Sequence, residues 1–156
     1  MSKELIGSCG INCAVCARYL AREYDVRSKG ISIPYCEGCG PSNRQCATLK
    51  KRCDLLMKGK VTYCYECDTF PCANLERLDG SYRTFFKTGL IDNLREIKAK
   101  GMDAFLESQR EKYRCARCGG IINIHTKKCF VCDIKTMKKK GELGRPRSPK
   151  LKKKKV

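Results

Sequence analysis

At 156 residues the chain is long enough for one ordinary domain or two very small ones, and 14 cysteines with no tryptophan set it apart from average composition. No apolar run of signal-peptide or membrane-span length occurs, which argues against a secreted disulfide scaffold and an integral membrane protein and sets the expected location as cytoplasmic. The formal net charge of +18 points to an anionic partner.

In a reducing compartment, closely spaced cysteines are ligands rather than bridges. The first pair is Cys13/Cys16, inside Cys9-Gly-Ile-Asn-Cys13-Ala-Val-Cys16. Residues 14–24 carry good helix formers without Gly or Pro, so a helix is expected to leave this knuckle. Cys36-Glu-Gly-Cys39 is a second knuckle, and Cys13, Cys16, Cys36 and Cys39 form one Cys-x2-Cys…Cys-x2-Cys set.

Residues 45–58 read as a helix ended by Gly59, with Cys46, Leu49, Cys53 and Leu56 on one face. Seven residues of helix rise about 10.5 Å. Two sulfurs on one zinc lie no more than about 4.6 Å apart. In such a helix Cys46 and Cys53 cannot share one ion. Next comes Cys64-Tyr-Glu-Cys67-Asp-Thr-Phe70-Pro71-Cys72, three cysteines in need of a fourth ligand, assigned to Cys53. Cys9 and Cys46 remain as possible additional ligands. Residues 73–78 read as a short helix at most. Tyr63, Tyr65 and Phe70 are core packing around the metal before they are base-stacking platforms.

Residues 90–113 lack cysteine. Leu90, Ile91, Leu94 and Ile97, then Met102, Phe105, Leu106, Gln109 and Tyr113 after Gly101, predict two amphipathic helices or one kinked helix. Cys115/Cys118 and Cys129/Cys132 face each other across ten residues, the spacing of a zinc ribbon. The β-branched stretch 121–126 between them suits a short hairpin, and the one histidine, His125, is read there as exposed or as an alternative ligand. Residues 135–156 carry eleven Lys and Arg against Glu142, a net +10, and are expected to be disordered when free. Within them Lys138, Lys139, Lys140, Arg145, Arg147, Lys152, Lys153, Lys154 and Lys155 are the candidate nucleic-acid contacts.

Several of these motifs recur in a known order. Cys-Gly-Ile-x-Cys-x2-Cys is followed by Cys-x-Gly-Cys and by Cys-x2-Cys with Phe70-Pro71-Cys72. Ile97-Lys-Ala-Lys-Gly101-Met102 and Glu111-Lys-Tyr113-Arg-Cys115 come next, then the ribbon pairs. Over roughly residues 5–133 the chain resembles the prokaryotic cysteine-rich family named domain of unknown function 3795, in the version with a C-terminal zinc ribbon. Tyr113 stands where that pattern has tryptophan, and the basic tail is an addition. The resemblance implies metal binding and a fold, without an activity.

The expected architecture is a small, irregular, metal-stapled α+β fold. It divides into a cysteine-rich metal-binding domain (1–88), an amphipathic helical segment (89–113), a zinc ribbon (114–134) and a Lys/Arg-rich tail (135–156). About two to three zinc ions are expected, with a 4Fe-4S cluster in the upstream cysteines as the alternative. Each four-thiolate zinc site would carry a net charge of about −2, which leaves the chain strongly basic. No Ser/His/Asp set, His-rich centre or Gly-rich phosphate loop is present, so the reading is non-enzymatic. Cys9-x3-Cys13-x2-Cys16 has the spacing of radical S-adenosylmethionine enzymes, but the chain lacks the length and βα alternation of their scaffold. The expected partner is nucleic acid, RNA rather than DNA, or else a protein; a redox accessory role accompanies the iron–sulfur alternative.

Overall fold

The computed structural model describes residues 1–39 and 48–138. Cys46, Lys139, Lys140, Arg145, Arg147, Lys152, Lys153, Lys154 and Lys155, and with them most of the basic tail, lie outside the described residues.

The chain begins with a 3-10 turn, Lys3–Leu5, and a tight loop closed by an antiparallel bridge between Ile6 and Asn12. Gly7 N–H bonds to Ile11 O at 2.9 Å across this loop. The helix expected over 14–24 starts later. Asn12 accepts from Ala14 N–H at 3.0 Å and holds Cys13–Val15 as a 3-10 turn, and Cys16 is extended. Helix α1 then spans Ala17–Glu23 and buries Ala17, Leu20 and Ala21.

The single helix expected over 45–58 is, in its described part, two short helices, α2 (Thr48–Lys51) and α3 (Asp54–Met57). They part at Cys53, which is extended (φ −127°, ψ 108°). Cysteine has low helix propensity, and tertiary surroundings readily override it. The break removes the premise that seven helical residues separate Cys46 from Cys53.

After a 3-10 turn at Cys64–Glu66, helix α4 (Ala73–Phe86) is far longer than the short helix expected over 73–78. Leu75, Asp79, Tyr82 and Phe86 are buried at i, i+4, i+7 and i+11, a helical stripe that Asp79 and Gly80 mask in the sequence. Asp79 is the apparent breaker, yet its carboxylate is fully used. It accepts from Arg83 Nε at 2.6 Å and from Ile91 N–H at 2.9 Å, so it closes its own helix turn and caps the next helix. Those hydrogen bonds hold the Asp79 carboxyl below its ordinary range despite partial burial, which opposes them.

Helices α5 (Leu90–Lys100) and α6 (Met102–Lys112) are the two amphipathic helices expected, separated at Gly101. Their inward faces are Leu90, Ile91, Leu94 and Ile97, then Phe105, Leu106 and Gln109. The protein is thus predominantly helical. The strand character expected of an α+β fold reduces, among the described residues, to three isolated bridges: Ile6 with Asn12, Arg114 with Ile121, and Ile122 with Cys129. The cysteine loops are too short and too sharply turned to extend these pairings into strands.

Three apolar clusters hold the elements together. The largest joins Ile11 and Val15 to Leu75, Phe86, Leu90 and Leu94, with Tyr113 and Ile124. A second places Phe130 and Met137 against Leu20, Val26, Ile31 and Ile33. The third packs Ile6 with Ile97, Phe105 and Leu106. Residues far apart in sequence therefore share cores, and the C-terminal segment covers the first helix.

Candidate metal centre

The C-terminal segment is built by local turn chemistry. Ile122 N–H bonds to Tyr113 O at 2.8 Å and Cys115 N–H to Gly120 O at 2.7 Å, which folds residues 115–120 into a closed knuckle. Gly120 sits against the thiols: a Cβ there would stand 3.2 Å from Cys118 Sγ and 3.4 Å from Cys129 Sγ. The second knuckle is tied by Asp133, whose carboxylate accepts from Cys129 N–H at 2.9 Å while its own N–H donates to Cys129 O at 2.8 Å. Arg117, from the first knuckle, pairs with the same carboxylate and links the two.

Between the knuckles the β-branched stretch turns back as a short hairpin, with Ile122 bridged antiparallel to Cys129 and Asn123 N–H bonded to Lys128 O at 3.0 Å; its turn is organised by Asn123, which is fully buried. Its Oδ1 accepts from His125 N–H (3.1 Å) and Thr126 N–H (2.9 Å), and its Nδ2 donates to Lys128 O (2.7 Å). His125 is half-buried and lies outside the group of four convergent thiols. Its Nδ1 accepts from Ala17 N–H at 3.2 Å, at the start of α1, and its ring meets Phe86 edge-on at 4.6 Å. Ile124 N–H bonds to Val15 O at 3.0 Å beside it.

The result is that the sulfurs of Cys115, Cys118, Cys129 and Cys132 lie within 4.8 Å of one another. Cys118 and Cys129 are 3.5 Å apart, Cys115 and Cys132 4.0 Å. Four convergent thiols, with Cys115 and Cys129 buried, can hold one metal ion. An all-sulfur tetrahedral set suits zinc or iron, and it leaves no open position for a substrate.

The thiols are not equivalent. The backbone N–H groups of Arg117 and Cys118 lower Cys115 to about 6, so it favours the thiolate. Hydrogen bonding with Cys118, then burial, raises Cys132 to about 12, and burial raises Cys129. A metal ion must therefore displace protons, from Cys132 and Cys129 above all. Affinity should fall as pH falls, by roughly tenfold per pH unit for each proton displaced. Competition with a chromophoric chelator between about pH 8 and pH 6 checks this; a pH-independent affinity would contradict it.

The upstream thiols are arranged differently. Cys39 N–H donates to Cys13 Sγ at 3.2 Å, which brings those two expected ligands together. Cys36 is anchored by its N–H to Arg18 O at 3.3 Å, and Cys16 precedes α1. Cys64 is pushed up to about 12, first by burial and then by the surrounding thiols of Cys9, Cys72, Cys53 and Cys67. Tyr63 and Tyr65 stack at 5.6 Å and pack, with Phe70, on the apolar clusters. Among the described residues the C-terminal four are the one group of three or more ligand atoms that close to within 4.8 Å. No disulfide forms among the described cysteines.

Sequence reasoning found the four C-terminal sulfurs and missed the residues that aim them: Asn123, Asp133 and Arg117. Asn and Asp at turn positions were the available signal. Among the described residues no helix is long and apolar enough to cross a membrane. A family model described as protein of unknown function (DUF3795) matches residues 5–77, which contain all the described upstream cysteines and exclude the C-terminal four. No curated protein and no solved structure matches the chain.

Proposed function

Through its N-terminal half the chain belongs to the DUF3795 family, and on that premise we propose that it is a non-enzymatic zinc-binding module that contacts nucleic acid, RNA in particular. The observation that carries the metal half of this reading is the closure of four thiols on one point. Zinc is the assignment for a closed all-cysteine site that serves as a staple: Cys115, Cys118, Cys129 and Cys132 would hold the ion in zinc-ribbon fashion and supply folding free energy rather than chemistry.

The nucleic-acid half rests on charge. The net charge of +18 is concentrated in residues 135–156, where Lys138, Lys139, Lys140, Arg145, Arg147 and Lys152 to Lys155 would neutralise phosphates and release counterions. Gly144-Arg-Pro-Arg147 adds the kind of extended arginine pair that enters a narrow groove.

The test is binding of the metal-loaded full chain to a fluorescent single-stranded RNA across a salt series. Affinity is expected to fall about 300-fold or more between about 50 and 200 mM salt if six or more phosphates are contacted. Removing residues 135–156 is expected to abolish most binding. Equal affinity of the shortened and full chains would overturn the role of the tail, and metal content below one ion per chain would overturn the zinc assignment.

A further inference from the structure

The upstream cysteines do not sort as their sequence pairs suggest. Of Cys13/Cys16, Cys36/Cys39 and Cys64/Cys67, one member each (Cys13, Cys39 and Cys64) packs in the largest apolar cluster, and Cys9 and Cys72 join them there. Cys16, Cys36, Cys53 and Cys67 do not belong to that cluster. Cys9 is itself buried, and the sequence left it as a spare.

Two backbone features put Cys9 beside Cys64. Cys64 N–H bonds to Ser8 O at 2.9 Å, so the residue before Cys9 is tied to the turn that carries Cys64. Ile6, Gly7 and Ser8 are in turn held by the loop that Ile6 and Asn12 close. Cys72 is the extended residue that opens α4 and packs in the same cluster. Cys53 is presented by the break between α2 and α3, a break its local sequence does not demand. Cys67 lies outside that cluster, with its sulfur 3.1 Å from the Thr69 hydroxyl.

We propose that Cys9, Cys64 and Cys72 are ligands of a second thiolate metal centre inside the DUF3795 part of the chain. It is separate from the C-terminal site and independent of the RNA-binding reading. These sulfurs do not close as tightly as the C-terminal four. A single zinc allows its ligands at most about 4.6 Å, so one ion would contract the group. A cluster spreads its ligands over several metal atoms and takes a wider set. The common chemistry is an all-thiolate centre with Cys9 as a ligand.

The experiment uses the full chain purified anaerobically, with zinc, iron and colour measured per chain. Cys9→Ser is expected to lose one centre's metal while the C-terminal ion stays. Cys72→Ser should match it, and the double variant should lose no more than either alone. Loss of zinc from a colourless protein identifies a single ion; loss of iron with a brown colour identifies a cluster. Cys9→Ser with full wild-type metal content would overturn the proposal. If that variant misfolds, the wild-type chain decides. For a zinc protein loaded with NMR-active cadmium, the β-protons of Cys9, Cys64 and Cys72 are expected to couple to one cadmium resonance. For a brown protein, iron quantified in Cys9→Asp, which keeps a ligating side chain, should again fall by that centre's content. Cys9 protons uncoupled from that cadmium, or unchanged iron, would overturn the assignment.

Discussion

Replacing Cys129 by serine is expected to remove one metal ion per chain and to lower stability by about 3 kcal/mol or more, about 10 °C in Tm for a chain of this size. Cys129 is 1% exposed, its backbone is clasped at both ends by Asp133, and its neighbour Phe130 is fully buried against α1. Serine cannot supply the thiolate, and the site then has three sulfurs around a point that needs four. The loss does not stay local. Phe130 and Met137 fill the cluster of Leu20, Val26, Ile31 and Ile33, and Ile124 fills the main core, so a loosened C-terminal segment uncovers both. Metal analysis with thermal unfolding followed by circular dichroism checks this. Wild-type metal content in the variant would show that the four thiols do not share an ion.

Gly10→Ala is expected to cost about 3 kcal/mol or more, the larger of two alanine substitutions that a reader of sequence alone would treat alike. Gly10 has φ +83°, and a Cβ there would lie 2.5 Å from Leu90 O and 2.8 Å from Leu94 Cγ. The neighbouring helix cannot yield, because Asn93 Nδ2 donates to Gly10 O at 2.8 Å and Leu90 and Leu94 are fully buried. Gly80, in the interior of α4, has nothing within 4 Å of its would-be Cβ, so Gly80→Ala is expected to stabilise by about 0.5–1 kcal/mol. Denaturant unfolding of the two metal-loaded variants beside the parent should give shifts of opposite sign. Equal shifts would mean that the approach of Gly10 to α5 is not a constraint.

The Gly10 contact also shows how far the sequence could be read. The Cys-Gly-Ile motif was legible as a signature, but its reason lies in a helix some eighty residues downstream, and no local pattern shows a close approach of that kind. The helices α5 and α6 were legible because their apolar period is uninterrupted except at Gly101. Helix α4 was read too short because Asp79 and Gly80 look like breakers until Asp79 is seen capping α5. The opposite error, one helix through Cys53, came from a face pattern that survives a break between two short helices. The four convergent C-terminal thiols could be named from spacing, since Cys-x2-Cys turns are self-contained. The upstream set could not, because which thiol turns inward depends on packing between segments. The hydrogen bond of His125 was hidden for the same reason: its partner, Ala17 N–H, is 108 residues away.

That hydrogen bond sets the order in which the molecule can be completed as it leaves the ribosome. Helix α1 is made well before residues 125–137, yet its starting N–H is met by His125 and its inner face is closed by Phe130 and Met137. Until residues 113–137 have been synthesised, Leu20, Val26, Ile31 and Ile33 lack their cover, so the nascent N-terminal half waits with an open flank for a segment translated much later. A metal ion captured by Cys115, Cys118, Cys129 and Cys132 would then act as the late clasp that lets co-translational folding finish.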